Sequence, residues 1–116
     1  MGWGTFDNNI IEEALDKTLY SVSAYENGQI IGYGRIIGDG IIFIYLQDIM
    51  VAPGYQHQNI GTEIVNKLLD KVKELKEKNP GLRAYLGAVK GKENFYKRFG
   101  FITRREADLG EGMILI

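Results

Sequence analysis

The chain has 116 residues, with 15 acidic against 14 basic side chains, one histidine and no cysteine. That length suits a single domain with a real core. Near-neutral charge argues against nucleic acid as the main partner, and the missing thiols exclude disulfides, thiolate metal sites and a cysteine nucleophile.

The lone histidine, His57, rules out a multi-histidine metal centre. No apolar run approaches a membrane span, and the first residues lack a basic-then-apolar signal pattern, so a cytoplasmic protein without a membrane partner is expected. In chain order, Trp3 and Phe6 are expected packing anchors in a glycine-rich start. Asn8 or Asn9 is expected to cap a short helix over residues 10–15. A strand is predicted over 19–25, then Asn27-Gly28, a strong hairpin signal, then a returning strand over 29–37. In that strand Ile31, Tyr33 and Arg35 share one face, and Ile30, Gly32, Gly34 and Ile36 the other. Gly38-Asp39-Gly40 reads as a turn, and residues 41–51 as a strand apolar on both faces, hence central.

Next comes a polar loop feeding a long helix over 61–78. Ile60, Ile64, Val65, Leu68, Leu69, Val72 and Leu75 form one apolar stripe, with Glu63–Lys67 and Glu74–Lys78 spaced to pair on the outer face. The loop itself is Gln56-His57-Gln58-Asn59-Ile60-Gly61-Thr62. A helix start leaves backbone N–H groups without acceptors, and a loop feeding it can wrap them around a phosphate. The other reading is an ordinary tight connection, with Gly61 packed against the sheet. Asn79-Pro80-Gly81 stops the helix. A strand over 82–89, a short helix over 91–99, a strand over 101–104, a turn over 108–112 and a terminal strand over 113–116 complete the expectation. The fold class is mixed α+β, with a mostly antiparallel sheet carrying helices on both faces.

Two stretches carry a family resemblance: QDIMVAPGYQHQNIG from Gln47 to Gly61 and NFYKRFGF from Asn94 to Phe101. They resemble the GNAT superfamily of acyl-CoA-dependent N-acetyltransferases, from about Ser21 to the C-terminus. The resemblance implies the acyl-CoA N-acyltransferase fold in one domain over 1–116. It further implies a sheet splayed at a coenzyme slot, and acetyl-CoA as co-substrate. The family's Gln/Arg-x-x-Gly-x-Gly/Ala loop maps onto Gln56, Asn59 and Gly61, with Asn59 in place of the first glycine. Asn tolerates a left-handed backbone, so the loop can still form. The family's additional first strand and helix are expected to be absent, which leaves a sheet edge open to a second chain. Gly34-Arg35, Gly38-Asp39-Gly40, Gln47-Asp48 and Gly112-Met113 look most like small bacterial-type and arylalkylamine-like members.

By the same resemblance, N–H groups of Gln58, Asn59, Ile60, Gly61 and Thr62 would hold the pyrophosphate, with Gln56 and His57 in the same loop. The strand end at Ile49, Met50 and Val51 would bond the pantetheine arm, and an N–H near Ile49 or Met50 would face the oxyanion. Tyr96 is the candidate general acid, because a phenol of pKa near about 10 can protonate a thiolate whose thiol has a pKa near about 8.5. Its alternative is a core aromatic beside Phe95 and Phe99. Asp48 is the candidate base or amine anchor, against an aspartate structuring a strand bulge. Asp39 and Glu111 are weaker amine ligands, and Lys90 and Lys92 weaker phosphate ligands. Arg35 is expected to form a structural ion pair.

The activity expected is transfer of an acetyl group from acetyl-CoA to a small primary amine, by direct attack through a tetrahedral intermediate. Two competitors stand beside it. One is an acetyl-CoA-binding regulatory or catalytically impaired domain without a competent acceptor site. The other is a nucleotide-binding domain, disfavoured because the loop has no lysine. A homodimer through the open edge or the last strand is a further expectation.

Overall fold

Asn27 and Gly28 both take positive φ, 50° and 78°. That is the backbone a two-residue hairpin turn needs to match strand twist. It joins β1 (Tyr20–Glu26) to β2 (Gln29–Gly38), with Ser23 opposite Tyr33 and Val22 opposite Gly34. The structure is a computed structural model describing residues 7–116. The expected anchors Trp3 and Phe6 lie outside the described residues. The chain divides into two compact units, Met1–Leu86 and Gly87–Ile116.

In the first unit, β3 (Phe43–Val51) pairs antiparallel with β2, and β4 (Arg83–Leu86) pairs parallel with β3. The sheet order is β1-β2-β3-β4, so β3 is internal, as its apolar run predicts. The parallel pair requires a crossover, supplied by α2 (Ile60–Lys78). Ile64, Val65, Leu68 and Val72 are buried along the predicted stripe. Ile36, Ile44 and Leu46, on two strands that α2 packs against, are also buried. Each such side chain contributes roughly 1.5–3 kcal/mol on burial. Two glycines set the distance between helix and sheet. A Cβ on Gly34 would lie 2.9 Å from both Ile64 Cγ2 and Leu68 Cδ1, and one on Gly32 would lie 2.8 Å from Ile64 Cδ1.

Several boundaries depart from expectation. The first helix, α1 (Asn8–Asp16), is capped by Asp7 rather than Asn8 or Asn9: Asp7 Oδ1 accepts from Ile10 N at 3.0 Å. Strand β3 starts at Phe43 rather than residue 41. The Asp39 carboxylate accepts the N–H groups of Ile41, Ile42 and Phe43 at 2.8, 2.8 and 3.1 Å, which holds them as a loop. These bonds favour the carboxylate and lower the Asp39 pKa. On α2, Glu74 pairs with Lys71 at 3.2 Å rather than with Lys78. Strand β4 ends at Leu86, opposite Leu46, instead of reaching residue 89.

In the second unit α3 (Glu93–Lys97) is shorter than predicted. The expected strands over 101–104 and 113–116 do not form. A reciprocal cap explains the first. Thr103 N donates to Glu106 Oε1, and Glu106 N donates to Thr103 Oγ1, each at 3.1 Å. That capping box starts a helical turn closed by Ala107 N to Thr103 O at 3.1 Å. The terminal Met113, Ile114, Leu115 and Ile116 are irregular and exposed. An apolar run alone does not make a strand without a neighbour to accept its backbone hydrogen bonds.

Candidate active site

The centre of the first unit is a bulge. Tyr33 faces Met50 and Arg35 faces Gln47, so Asp48 and Ile49 together oppose Gly34. Asp48 has φ 57°, the left-handed conformation of a bulge residue that is commonly glycine. Aspartate is among the few side chains that tolerate it. Arg35 Nε donates to Asp48 Oδ2 at 2.7 Å, and both side chains are mostly covered, 17% and 23% exposed. The ion pair expected of Arg35 is therefore present, and its partner is the candidate base. One Asp48 oxygen is committed to the guanidinium.

Close to the bulge, β3 also loses its second neighbour. Pairing with β4 ends at Leu46–Leu86, while β3 continues through Gln47, Asp48, Ile49, Met50 and Val51. A bulge bends and twists its strand, which separates it from a straight neighbour. No strand of the described residues pairs with that edge beyond Leu46. Pairing of β3 with β4 thus stops just before the bulge, in the region where the resemblance leads one to expect a splay.

Past Val51 the chain turns at Pro53-Gly54, with Tyr55 N donating to Ala52 O at 3.1 Å. Gln56 and Gln58 fold their amides back onto the loop, onto Val51 O at 3.5 Å and Gly54 O at 3.3 Å. His57 and Asn59 both take left-handed backbone, φ 66° and 63°. Asn59 caps α2 by position, but its side chain bonds no helix N–H. The first N–H satisfied within the helix is that of Glu63, donating to Asn59 O at 3.0 Å. Those of Ile60, Gly61 and Thr62 have no intrahelical acceptor. Gln56, His57, Gln58 and Asn59 are exposed. No acidic residue occurs between Asp48 and Glu63, so the loop offers an anion N–H dipoles and no negative side chain of its own.

Sequence reasoning passed over Tyr55. The nearby Glu26 carboxylate raises the Tyr55 pKa. The loop therefore runs close to the end of β1, and Tyr55 in an otherwise polar loop was the available signal. Thr18, bonded to Arg35 at 3.1 Å, was missed as well.

Asp48, Ile49, Met50, Val51 and the loop residues from Gln56 to Thr62 all belong to the first unit; Tyr96 belongs to the second. Tyr96 lies on α3, buried, with its ring edge-on to Phe95 at 5.0 Å and to Phe101 at 6.1 Å. Burial raises its pKa, which keeps the phenol protonated across neutral pH. Glu111 is engaged by Arg105, and Lys90 and Lys92 are exposed. Among the described residues no cluster of acidic or histidine side chains could hold a metal, and no helix is long and apolar enough to cross a membrane.

The family described as acetyltransferase (GNAT) domain matches residues 3–116. A curated relative from Prochlorococcus marinus, an uncharacterized ycf52-like N-acetyltransferase, is 29% identical over 105 residues. That match covers 87% of this chain and 56% of the relative, so the chain spans little more than half the length of the curated relative. A probable acetyltransferase of unknown function from meticillin-resistant Staphylococcus aureus is similar in structure. It has 28% identity and a TM-score of 0.81, over 96% of this chain and 81% of that one. A GNAT family acetyltransferase from Elizabethkingia anophelis, solved with acetyl-CoA bound, shares the fold. Its TM-score is 0.63 at 21% identity, over 84% of this chain and 62% of that one.

Proposed function

The chain belongs to the GNAT acetyltransferase family, and on that premise we propose that it transfers an acetyl group from acetyl-CoA to a small primary amine. The observation that carries this reading is the continuity of an unpaired strand edge with an uncapped helix start. From Gln47 to Val51 β3 has no strand partner on that edge among the described residues, which suits the amide groups of a pantetheine arm. The loop then leads to the open N–H groups of Ile60, Gly61 and Thr62 at α2, where a pyrophosphate fits. Gln56, His57, Gln58 and Asn59 shape that cradle.

In the reaction the amine nitrogen attacks the thioester carbonyl directly. A C–N bond forms, the C–S bond breaks, and the departing thiolate takes a proton. An N–H of Ile49 or Met50 stabilises the oxyanion. Tyr96 is the proton donor, supported by its motif and by a buried, protonated phenol. Asp48 acts as counter-charge to the incoming ammonium through Oδ1, since Oδ2 is held by Arg35. A free alkylamine has a pKa near about 10.4, so it arrives charged; it gives one proton to solvent water before attack and a second as the amide forms, and Tyr96 recovers its proton from solvent. The same reading makes the chain one acetyltransferase domain in the cytoplasm. It also leaves β1, at the sheet edge, as the dimer contact.

The commitment of Asp48 to Arg35 favours one alternative, a coenzyme-binding domain without a competent acceptor site. Calorimetric titration of acetyl-CoA into wild type and Gly61→Glu tests the shared part. Wild type should bind, and the variant should lose about 100-fold or more, because a carboxylate would stand where phosphate charge must sit. No wild-type binding refutes the coenzyme reading. Equal binding moves the coenzyme away from the loop. An amine screen with wild type and Tyr96→Phe then separates an enzyme from a binding domain.

A further inference from the structure

We propose that Arg35 is a positioning residue that latches the end of α1 to the bulge of β3, so that coenzyme bound along β3 also orders α1. The inference rests on the acetyltransferase reading for its coenzyme half and on geometry for the latch.

One guanidinium serves two elements. Its Nε bonds Asp48 Oδ2 at 2.7 Å, and its Nη1 bonds Ala14 O at 3.2 Å and Thr18 Oγ1 at 3.1 Å. Thr18 Oγ1 in turn donates to Ala14 O at 3.2 Å, so the three groups form a closed set. Ala14 O belongs to the last turn of α1, where carbonyls carry partial negative charge and favour a cation. Gly34 and Ile36 face α2, so Arg35 between them reaches from the opposite face of the sheet.

Among the described residues α1 is only partly covered. None of its side chains is fully buried: Ile11 and Ala14 are half-buried, and Ile10 and Leu15 are exposed. Packing of the described residues alone fixes it weakly, and a forked, partly covered charge-assisted bond adds a specific attachment. The other end of that fork sits on the residue that bulges β3. Asp48 keeps left-handed backbone while its side chain is held by Arg35. Ile49 and Met50, next along the strand, are the groups proposed to bond the thioester arm. A ligand that fixes Ile49 and Met50 fixes Asp48, hence Arg35, hence Ala14 and Thr18. Lysine cannot replace this arginine, because one ammonium lacks the planar fork that spans both partners.

Amide hydrogen exchange of the full chain, with and without saturating acetyl-CoA, tests the proposal in wild type, Arg35→Lys and Thr18→Val. Without coenzyme, Arg35→Lys should speed exchange over residues 11–18 about 10-fold or more while leaving the centre of α2 unchanged. Thr18→Val keeps the Arg35–Asp48 pair and should give a smaller increase over the same residues. With acetyl-CoA, wild type should slow in both the 56–62 loop and α1, whereas Arg35→Lys should slow in the loop alone. A merely structural arginine would not produce that second split. Equal α1 exchange in wild type and both variants overturns the latch. Equal slowing of α1 by acetyl-CoA in wild type and Arg35→Lys overturns the coupling. If acetyl-CoA fails to protect the wild-type loop, the coenzyme reading fails and the coupling with it, while the coenzyme-free comparison still decides the latch.

Discussion

Among the described residues, every buried apolar side chain except Tyr96 lies in the unit Met1–Leu86. The unit Gly87–Ile116 is held instead by the ring contacts of Phe95, Tyr96, Phe99 and Phe101 and by short-range bonds. They include the Thr103–Glu106 cap, the Lys97–Glu106 ion pair at 3.0 Å and Arg104 Nε donating to Gly110 O at 2.5 Å. The contrast teaches which kind of change each region should feel. Burial is lost cooperatively, because many side chains share one core. A local bond releases only the turn it closes.

The largest effect should come from the core. Leu68 is fully buried on α2 against the glycine face of β2. Leu68→Ala should cost about 2–5 kcal/mol in urea unfolding, as an unfilled cavity does. Ile114→Ala, at an exposed site, should stay within about 0.5 kcal/mol. If the two cost the same, the contrast between the units is broken.

The bulge comes next, since it combines backbone strain with a covered ion pair. Asp48→Ala should lose about 1–3 kcal/mol, from a left-handed alanine and a guanidinium left without its carboxylate. Asp48→Asn should lose less, because asparagine accepts both the backbone and a hydrogen bond. A reversed order would mean that charge alone matters at this position.

In the second unit, pH is the sharper probe. The Lys97 ammonium, and then the Thr103 N–H and hydroxyl, depress the Glu106 pKa from 4.5 to about 2. A carboxylate with a lowered folded pKa stabilises above its unfolded value, and that contribution is lost as pH falls. Between about pH 4.5 and pH 2 the turn at Thr103–Ala107 should open, followed by amide shifts confined to that segment. Glu106→Gln should flatten the profile. A simultaneous loss of α2 signals would show that the two units do not respond separately.

These same differences decided what could be read in advance. The α2 stripe, the Asn27-Gly28 turn and the internal position of β3 were legible, because burial repeats with the period of the element. The bulge at Asp48 and the splay of β3 were expected from the resemblance rather than from periodicity. Asp48 and Arg35 each stood out, but that they pair with each other depends on the register around one extra residue in β3, which no periodicity records. The early end of β4 at Leu86 was not legible. The expected strand over 101–104 failed because Thr103 and Glu106 carry a cap signal that overrides an apolar pair, and that signal was present in the sequence. Of the site, the loop's location was legible and the left-handed His57 was not.

His57 supplies the smallest test, and it bears on the loop rather than on either core. With φ 66°, it spends about 1–2 kcal/mol on left-handed backbone. His57→Gly removes that strain but adds about 0.5–1 kcal/mol of chain entropy to the unfolded state. The two effects nearly cancel, so stability should change by less than about 1 kcal/mol. If the cradle is made of backbone N–H groups, acetyl-CoA affinity should change less than about 3-fold, read by calorimetry. A loss beyond about 10-fold would instead place the imidazole itself on the coenzyme. The pyrophosphate would then be held by a side chain that composition makes unique in this chain.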